Sequence, residues 1–314
     1  MRAVAASTKA RLGGFQEPLL GFVRFADEAM RLSDLYVTGA ARLRNAHELQ
    51  KILSDHYKAW GREPNPDDER QLERAKELSV LAADEVGANF RLLNAHFLVG
   101  TWGVFESALD ACVIEWMVQN PGDFQWGPKD EIKMSPAVVF AANARDRAEV
   151  FLEALKKRRG TPLSSGITRF EDLLSLVGLD GPLPAGLSDT VFEFQQVRNV
   201  YAHNGGLADR RFLDTCPYVS VAVGEPVPVR PGTADGYYHA MLAYTGVILA
   251  RGWARHGIGL HDGRLCWRRG LTAEQTLAEL PFPVRTPTPL RRDMAPDEGG
   301  RAPSHVSSSV KCNT

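Results

Sequence analysis

The sequence is poor in cysteine, with four in 314 residues: Cys112, Cys216, Cys266 and Cys312. So few thiols in so long a chain do not make a disulfide framework, and no paired C-x-x-C is present to hold zinc. An excess of either charge is also missing: 37 basic residues stand against 38 acidic ones, a formal net charge of -1. That excludes a protein that coats nucleic acid by uniform basicity, but it leaves a local basic groove open. No G-x-G-x-x-G follows a strand-like run, and there is no Walker A sequence and no internal repeat. The simplest nucleotide-binding and solenoid readings fall away. Residues 1–14 contain Arg2, Lys9 and Arg11 but lack the continuous apolar run of a secretory leader. The longest mostly apolar stretch, 237–250, is interrupted by His239 and is short for a bilayer span. The expectation is a soluble cytoplasmic protein with no membrane contact.

What is present is ordinary globular material: 44 % hydrophobic and 24 % charged residues, enough for a real core. Arg outnumbers Lys, which suits bidentate contacts to phosphate or carboxylate and equally fits coding bias. Residues 17–60 read as helical, with Leu19, Leu20, Phe22, Val23 and Phe25 opening an apolar segment that Leu32, Leu35, Leu43, Leu49 and Leu53 continue. The stretch 61–68, with a glycine and two prolines, breaks it, and Asp67 or Asp68 is placed to cap the next helix. Residues 69–118 read as one long helix or two collinear ones: Leu72, Ala75, Leu78, Ala82, Val86, Phe90, Leu93 and Phe97 recur at steps of three and four. Further helices are expected over 136–157, 168–177, 190–203 and 234–256. Ser188 or Asp189 is the expected cap of the third of these. Residues 218–229 read as a small hairpin whose second half, broken by prolines, is an edge strand. A second short hairpin is expected to turn at 261–264. The fold class is therefore mainly α, a helical bundle with a long antiparallel helix pair, small β-hairpin additions and a disordered C-terminal tail. The expected divisions are an N-terminal helical segment over 1–66, possible as part of the same bundle, a helical domain over 67–284 and the tail over 285–314.

One segment stands apart. Gln195-Gln196-Val197-Arg198-Asn199-Val200-Tyr201-Ala202-His203-Asn204-Gly205 sets Arg, Asn and His at the end of one helix, directly before a Gly-Gly stop. Positions five apart on a helix differ by roughly 140° and about 7.5 Å in rise, so Arg198 and His203 do not point at one atom from a straight helix. The long Arg side chain can bend round, and two copies of the helix meeting across a two-fold axis would ease a shared site. Arg and His also suit a helix C-terminus as plain structural cations.

This segment resembles the signature of the HEPN family: an Arg followed by a polar residue, here Asn199, and a His four to six residues on. A long amphipathic helix carrying Trp102 and Glu106 precedes the motif and another helix follows it, so the resemblance spans about residues 68–256. It implies an all-α dimeric domain. Many HEPN proteins are metal-independent endoribonucleases; others are inactive helical scaffolds. For this chain the resemblance implies RNA as substrate, no cofactor and no metal, and a homodimer in a toxin or phage-defence role with an antitoxin or other regulatory partner. It assigns Arg198, His203 and Asn199 as catalytic. His203 is base or acid at the reacting oxygens, Arg198 a planar charged fork for phosphate, and Asn199 orients His203 or holds the phosphate. Asn204 and Glu106 are assigned to substrate binding, Glu106 with the standing alternative of a paired structural carboxylate. Some HEPN toxins carry a Tyr two residues after the His that a partner enzyme modifies. Here that position is Gly205, so that silencing mode is not expected. The alternative function is a non-catalytic HEPN-like module for dimerisation or partner docking.

Other clusters read as structural. His256, His261 and Cys266, with Cys216, lack the tight spacing of a zinc site. Trp102, Phe105, Trp116 and Trp126 sit at helical spacing, which marks core more often than a base-stacking platform. The basic run 156–159 is a solvated helix end or a phosphate contact.

Overall fold

The computed structural model describes residues 14–63, 65–122, 143–158, 166–261 and 264–267. It is mainly helical: α1 (Gln16–Leu43), α2 (Ala46–Ala59), α3 (Pro66–Gly87), α4 (Arg91–Gln119), α5 (Ala144–Arg158), α6 (Ile167–Leu174) with a 3-10 turn over Ser175–Val177, α7 (Leu187–Asn204), α8 (Arg210–Thr215) and α9 (Pro231–Arg255). Strands β1 (Ile258–His261) and β2 (Arg264–Trp267) pair antiparallel, with Gly259 opposite Cys266. The expected turn residues between them, Asp262 and Gly263, lie outside the described residues, as do 123–142 and everything after 267. The expected helix start at 136, Trp126, Arg159, Cys312 and the tail therefore lie there too.

The first four helices form two runs in opposite directions. Phe15 meets Trp116, Phe22 meets Phe105 and Tyr36 meets Phe90. Further out, the His47 amide donates to Ser79 Oγ at 2.9 Å. The first run turns at Arg44 and Asn45. The second breaks at Asn89 and Phe90, both with positive φ (52° and 55°). A left-handed non-glycine residue costs roughly 1–2 kcal/mol. Burial of the Phe90 side chain against Ala40 and Ala82 offsets it, and Asn94 holds the break by donating to the carbonyls of Asn89 and Val229 at 3.1 and 2.9 Å. At the other end, α3 is capped by Asn65 rather than by Asp67 or Asp68. Asn65 Oδ1 accepts from both of those amides, and Asp68 returns the bond to the Asn65 amide. Pro66 takes the first helical position, where its missing N–H loses nothing.

The core gathers α4, α7 and α9 against the N-terminal half of α1, α5 and α6. Trp102, Phe105 and Trp116 are all buried. Trp102 lies edge-on to Phe194 at 5.1 Å, and Phe194 stacks on Tyr237 at 5.1 Å. These tryptophans are core and offer no face to a base. Helix α4 is long and apolar enough to cross a bilayer, by length and composition alone, and packs here as a central helix with half of that window buried. The most buried ion pair among the described residues joins two of these helices. Arg251 on α9 meets Glu171 on α6 at 2.9 Å and also donates to the carbonyls of Leu179 and Pro182. Tyr244 donates to the same carboxylate at 2.7 Å; burial, then that carboxylate, push its own ionisation well above the ordinary range.

Two further expectations need correction. Residues 218–229 do not fold on themselves as a hairpin. Pro226 and Pro228 have no amide to donate, and the segment pairs instead with the chain leaving α7. The Ala208 amide donates to the Glu225 carbonyl, the Gly224 amide to Ala208 and the Val227 amide to Gly206, at 2.8 to 2.9 Å. Helix α7 begins at Leu187, ahead of Ser188 and Asp189, behind a left-handed Gly186 and without a side-chain cap.

Candidate functional site

Helix α7 runs through the core and comes out at its C-terminal end. Val191, Phe194 and Val197 are buried, whereas His203 and Asn204 are exposed. Gly205 and Gly206 then take left-handed conformations, and both amides return to the Val200 carbonyl. At Gly206 the conformation and the space both require glycine: φ is +84°, and an added Cβ would lie 2.5 Å from the Tyr201 ring. The Tyr201 hydroxyl donates to the Val227 carbonyl. Burial pushes that hydroxyl's ionisation up, and Arg91 beside it acts in the opposite direction. The rim of the helix end is therefore fastened to the 224–229 segment.

Gln196, Asn199, Val200 and His203 follow the three- and four-residue spacing of one helical face. With Asn204 from the same helix end, and Asp209, Arg211 and Phe212 from the start of α8, they line a cleft of about 270 Å³. Among the described residues no hydrogen bond or ion pair engages His203. Asn204 is engaged: its amide donates to Asp209 Oδ2 at 3.0 Å, while Asp209 Oδ1 caps α8 by accepting from the Phe212 amide at 2.7 Å.

The expected residues divide around this cleft. His203, Asn199 and Asn204 are brought together in it. Arg198 lies on the neighbouring face and reaches round: its Nη1 donates to Asn199 Oδ1 at 3.1 Å. Its Nε is buried and has no hydrogen-bond partner among the described residues. Glu106 is elsewhere, on α4, paired with Arg169 of α6 at 2.9 Å. Compared with family models, curated proteins and solved structures, the chain matches none.

Three polar lining residues, Gln196, Asp209 and Arg211, escaped the sequence reading. Gln196 was accessible by spacing, one and two turns before Asn199 and His203. Asp209 was accessible as a cap signal ahead of a short helix. Among the described residues no group of three or more His, Cys, Asp or Glu side chains could hold a metal ion. The basic run at the end of α5 is partly neutralised: Lys156 pairs with Asp110 and, at 3.7 Å, with Glu153. Burial raises the Asp110 carboxyl, against the pull of Lys156.

Proposed function

We propose that this chain is a HEPN-type, metal-independent endoribonuclease whose site is the cleft at the end of α7, shared between two copies. The observation that carries the reading is the exposed imidazole of His203, engaged by no side chain among the described residues and set in a cleft with Asn199. The Arg198 guanidinium is tethered to that asparagine. Asn199 lies one turn before His203 on the same face of the helix and accepts the Arg198 guanidinium from the neighbouring one.

The chemistry is transfer within the RNA backbone. The 2′-oxygen attacks the adjacent phosphorus as a base removes its proton. The bond from phosphorus to the 5′-oxygen breaks, and an acid protonates the leaving oxygen. The products are a 2′,3′-cyclic phosphate and a 5′-hydroxyl. A neutral imidazole serves as the base and a protonated one as the acid, which a pair of His203 side chains, one from each copy, supplies. Arg198 and Arg211 place positive charge where the phosphorane-like transition state gathers negative charge. A toxin or phage-defence role with an antitoxin partner belongs to the same proposal and rests on the motif alone.

A second reading, a non-catalytic HEPN-like module for dimerisation or partner docking, is favoured by Asp209. Its carboxylate ties Asn204 down and adds negative charge to the cleft. RNA cleavage by the purified chain in EDTA separates the two. Nuclease activity predicts cyclic-phosphate ends, lost in His203→Ala and reduced at least about a hundredfold in Arg198→Ala. An intact RNA pool with tRNA and mRNA substrates favours the docking module. Cleavage that survives both substitutions moves the site away from α7.

A further inference from the structure

Helix α1 carries two apolar stripes. The inner one includes Leu19, Phe22, Ala26 and Ala40 and faces the protein. The outer one is Phe25, Ala29, Leu32, Tyr36, Gly39 and Leu43, spaced alternately by four and three residues, with Tyr36 at its inner margin, edge-on to Phe90 and still 45 % exposed. That spacing is the seam along which helices pack side by side in a coiled coil. Yet Leu32 is 66 % exposed, and Leu35 beside the seam 68 %. An added Cβ at Gly39 would meet nothing within 4 Å. This stripe leaves on the order of 500 Å² of apolar surface in water, near the upper end of what a monomer ordinarily exposes in one patch. Leu49, Ile52, Leu53 and Trp60 extend the exposed apolar surface along α2.

The charges beside the seam indicate which partner. Glu28 and Arg42 each stand one residue before a seam position, Ala29 and Leu43, and both are exposed. Neither makes an ion pair among the described residues. When α1 is laid against itself in reverse, centred between Leu32 and Tyr36, the face is self-complementary. Phe25 meets Leu43 of the partner subunit, and Leu32 meets Tyr36 of the partner subunit. Ala29 meets Gly39 of the partner subunit, a small-on-small layer that lets the backbones approach. In that register Glu28 faces Arg42 of the partner subunit, and two-fold symmetry makes the pair twice. A parallel pairing sets Glu28 near Ser33 of the partner subunit and Arg42 near His47 of the partner subunit, with no such match.

We infer that the outer face of α1 binds a second copy of this chain as an antiparallel, two-fold helix pair sealed at each end by Glu28 and Arg42. The surface is separate from the α7 cleft, and the inference does not rest on the nuclease reading.

Sedimentation of the full chain across a concentration series tests it. The parent is expected to self-associate reversibly. Leu32→Glu combined with Leu35→Glu is expected to halve the assembly mass at unchanged helical circular dichroism. Glu28→Arg or Arg42→Glu alone is expected to weaken association roughly tenfold, and the double reversal to restore it to within about threefold of the parent. A mass unaffected by the two leucine substitutions overturns the inference. So does a parent that stays monomeric throughout, which would give the stripe to another segment or partner. A double reversal no better than its singles overturns the antiparallel register.

Discussion

The inner half of the molecule and its outer arm are built from the same kind of sequence and end in opposite conditions. Around Phe105, apolar side chains at helical spacing close into a core where Phe22, Phe170 and Tyr244 all meet one ring. In the arm made by α2 and the facing parts of α1 and α3, equally regular spacing leaves α2 without one buried residue. Among the described residues only Ala40, Ala82 and Phe90 are buried between the long runs there. Periodicity reports that a helix has an apolar face. Whether that face is covered depends on how many other helices reach it, and the arm extends beyond the reach of α5, α7 and α9.

The contrast makes graded predictions. Phe105→Ala is expected to cost about 3–5 kcal/mol in chemical denaturation, because the aromatic cluster cannot collapse into the space left. Glu171→Ala strands the Arg251 guanidinium inside the protein and is expected to cost roughly 3 kcal/mol. Thermal unfolding of Glu171→Ala beside Arg251→Met would show whether the stranded charge or the lost bond dominates. In the arm, Asn65→Ala removes a capping box and is expected to cost about 1 kcal/mol. Hydrogen exchange should place that loss in the first turns of α3. Leu53→Ser is expected to change stability by less than roughly 0.5 kcal/mol, as for other open surface sites. A larger loss for Leu53→Ser would mean that α2 itself is covered in solution and would erase the contrast.

The sequence was most readable where chain punctuation is strong. The break at 61–68 and the stop at Gly205 and Gly206 were plain from Gly and Pro chemistry. The break at Asn89 and Phe90 was not: Asn tolerates a left-handed backbone but Phe does not announce one, and the break is sustained by tertiary burial of Phe90 and by the Asn94 hydrogen bonds. The 218–229 segment misled because alternating valines look alike whether their partner is the next segment or an earlier one. At the candidate site, Asn199, His203 and Asn204 could be read together because helical spacing is local information. Glu106 could not be placed the same way. Its distance from Arg198 depends on how α4, α6 and α7 pack, and Arg169, the residue it meets, is remote in sequence.

Arg251 has a consequence for where this chain tolerates change. One guanidinium reaches the Glu171 carboxylate and the carbonyls of Leu179 and Pro182, so the linker between α6 and α7 is measured against a fixed post. Lengthening it by a residue would pull a carbonyl off that post and shift the start of α7, the helix that ends at His203. The tip of the arm at 61–63 is exposed and far in the chain from that post. A fluorophore or an inserted tag belongs at the tip, and the linker is the place to avoid.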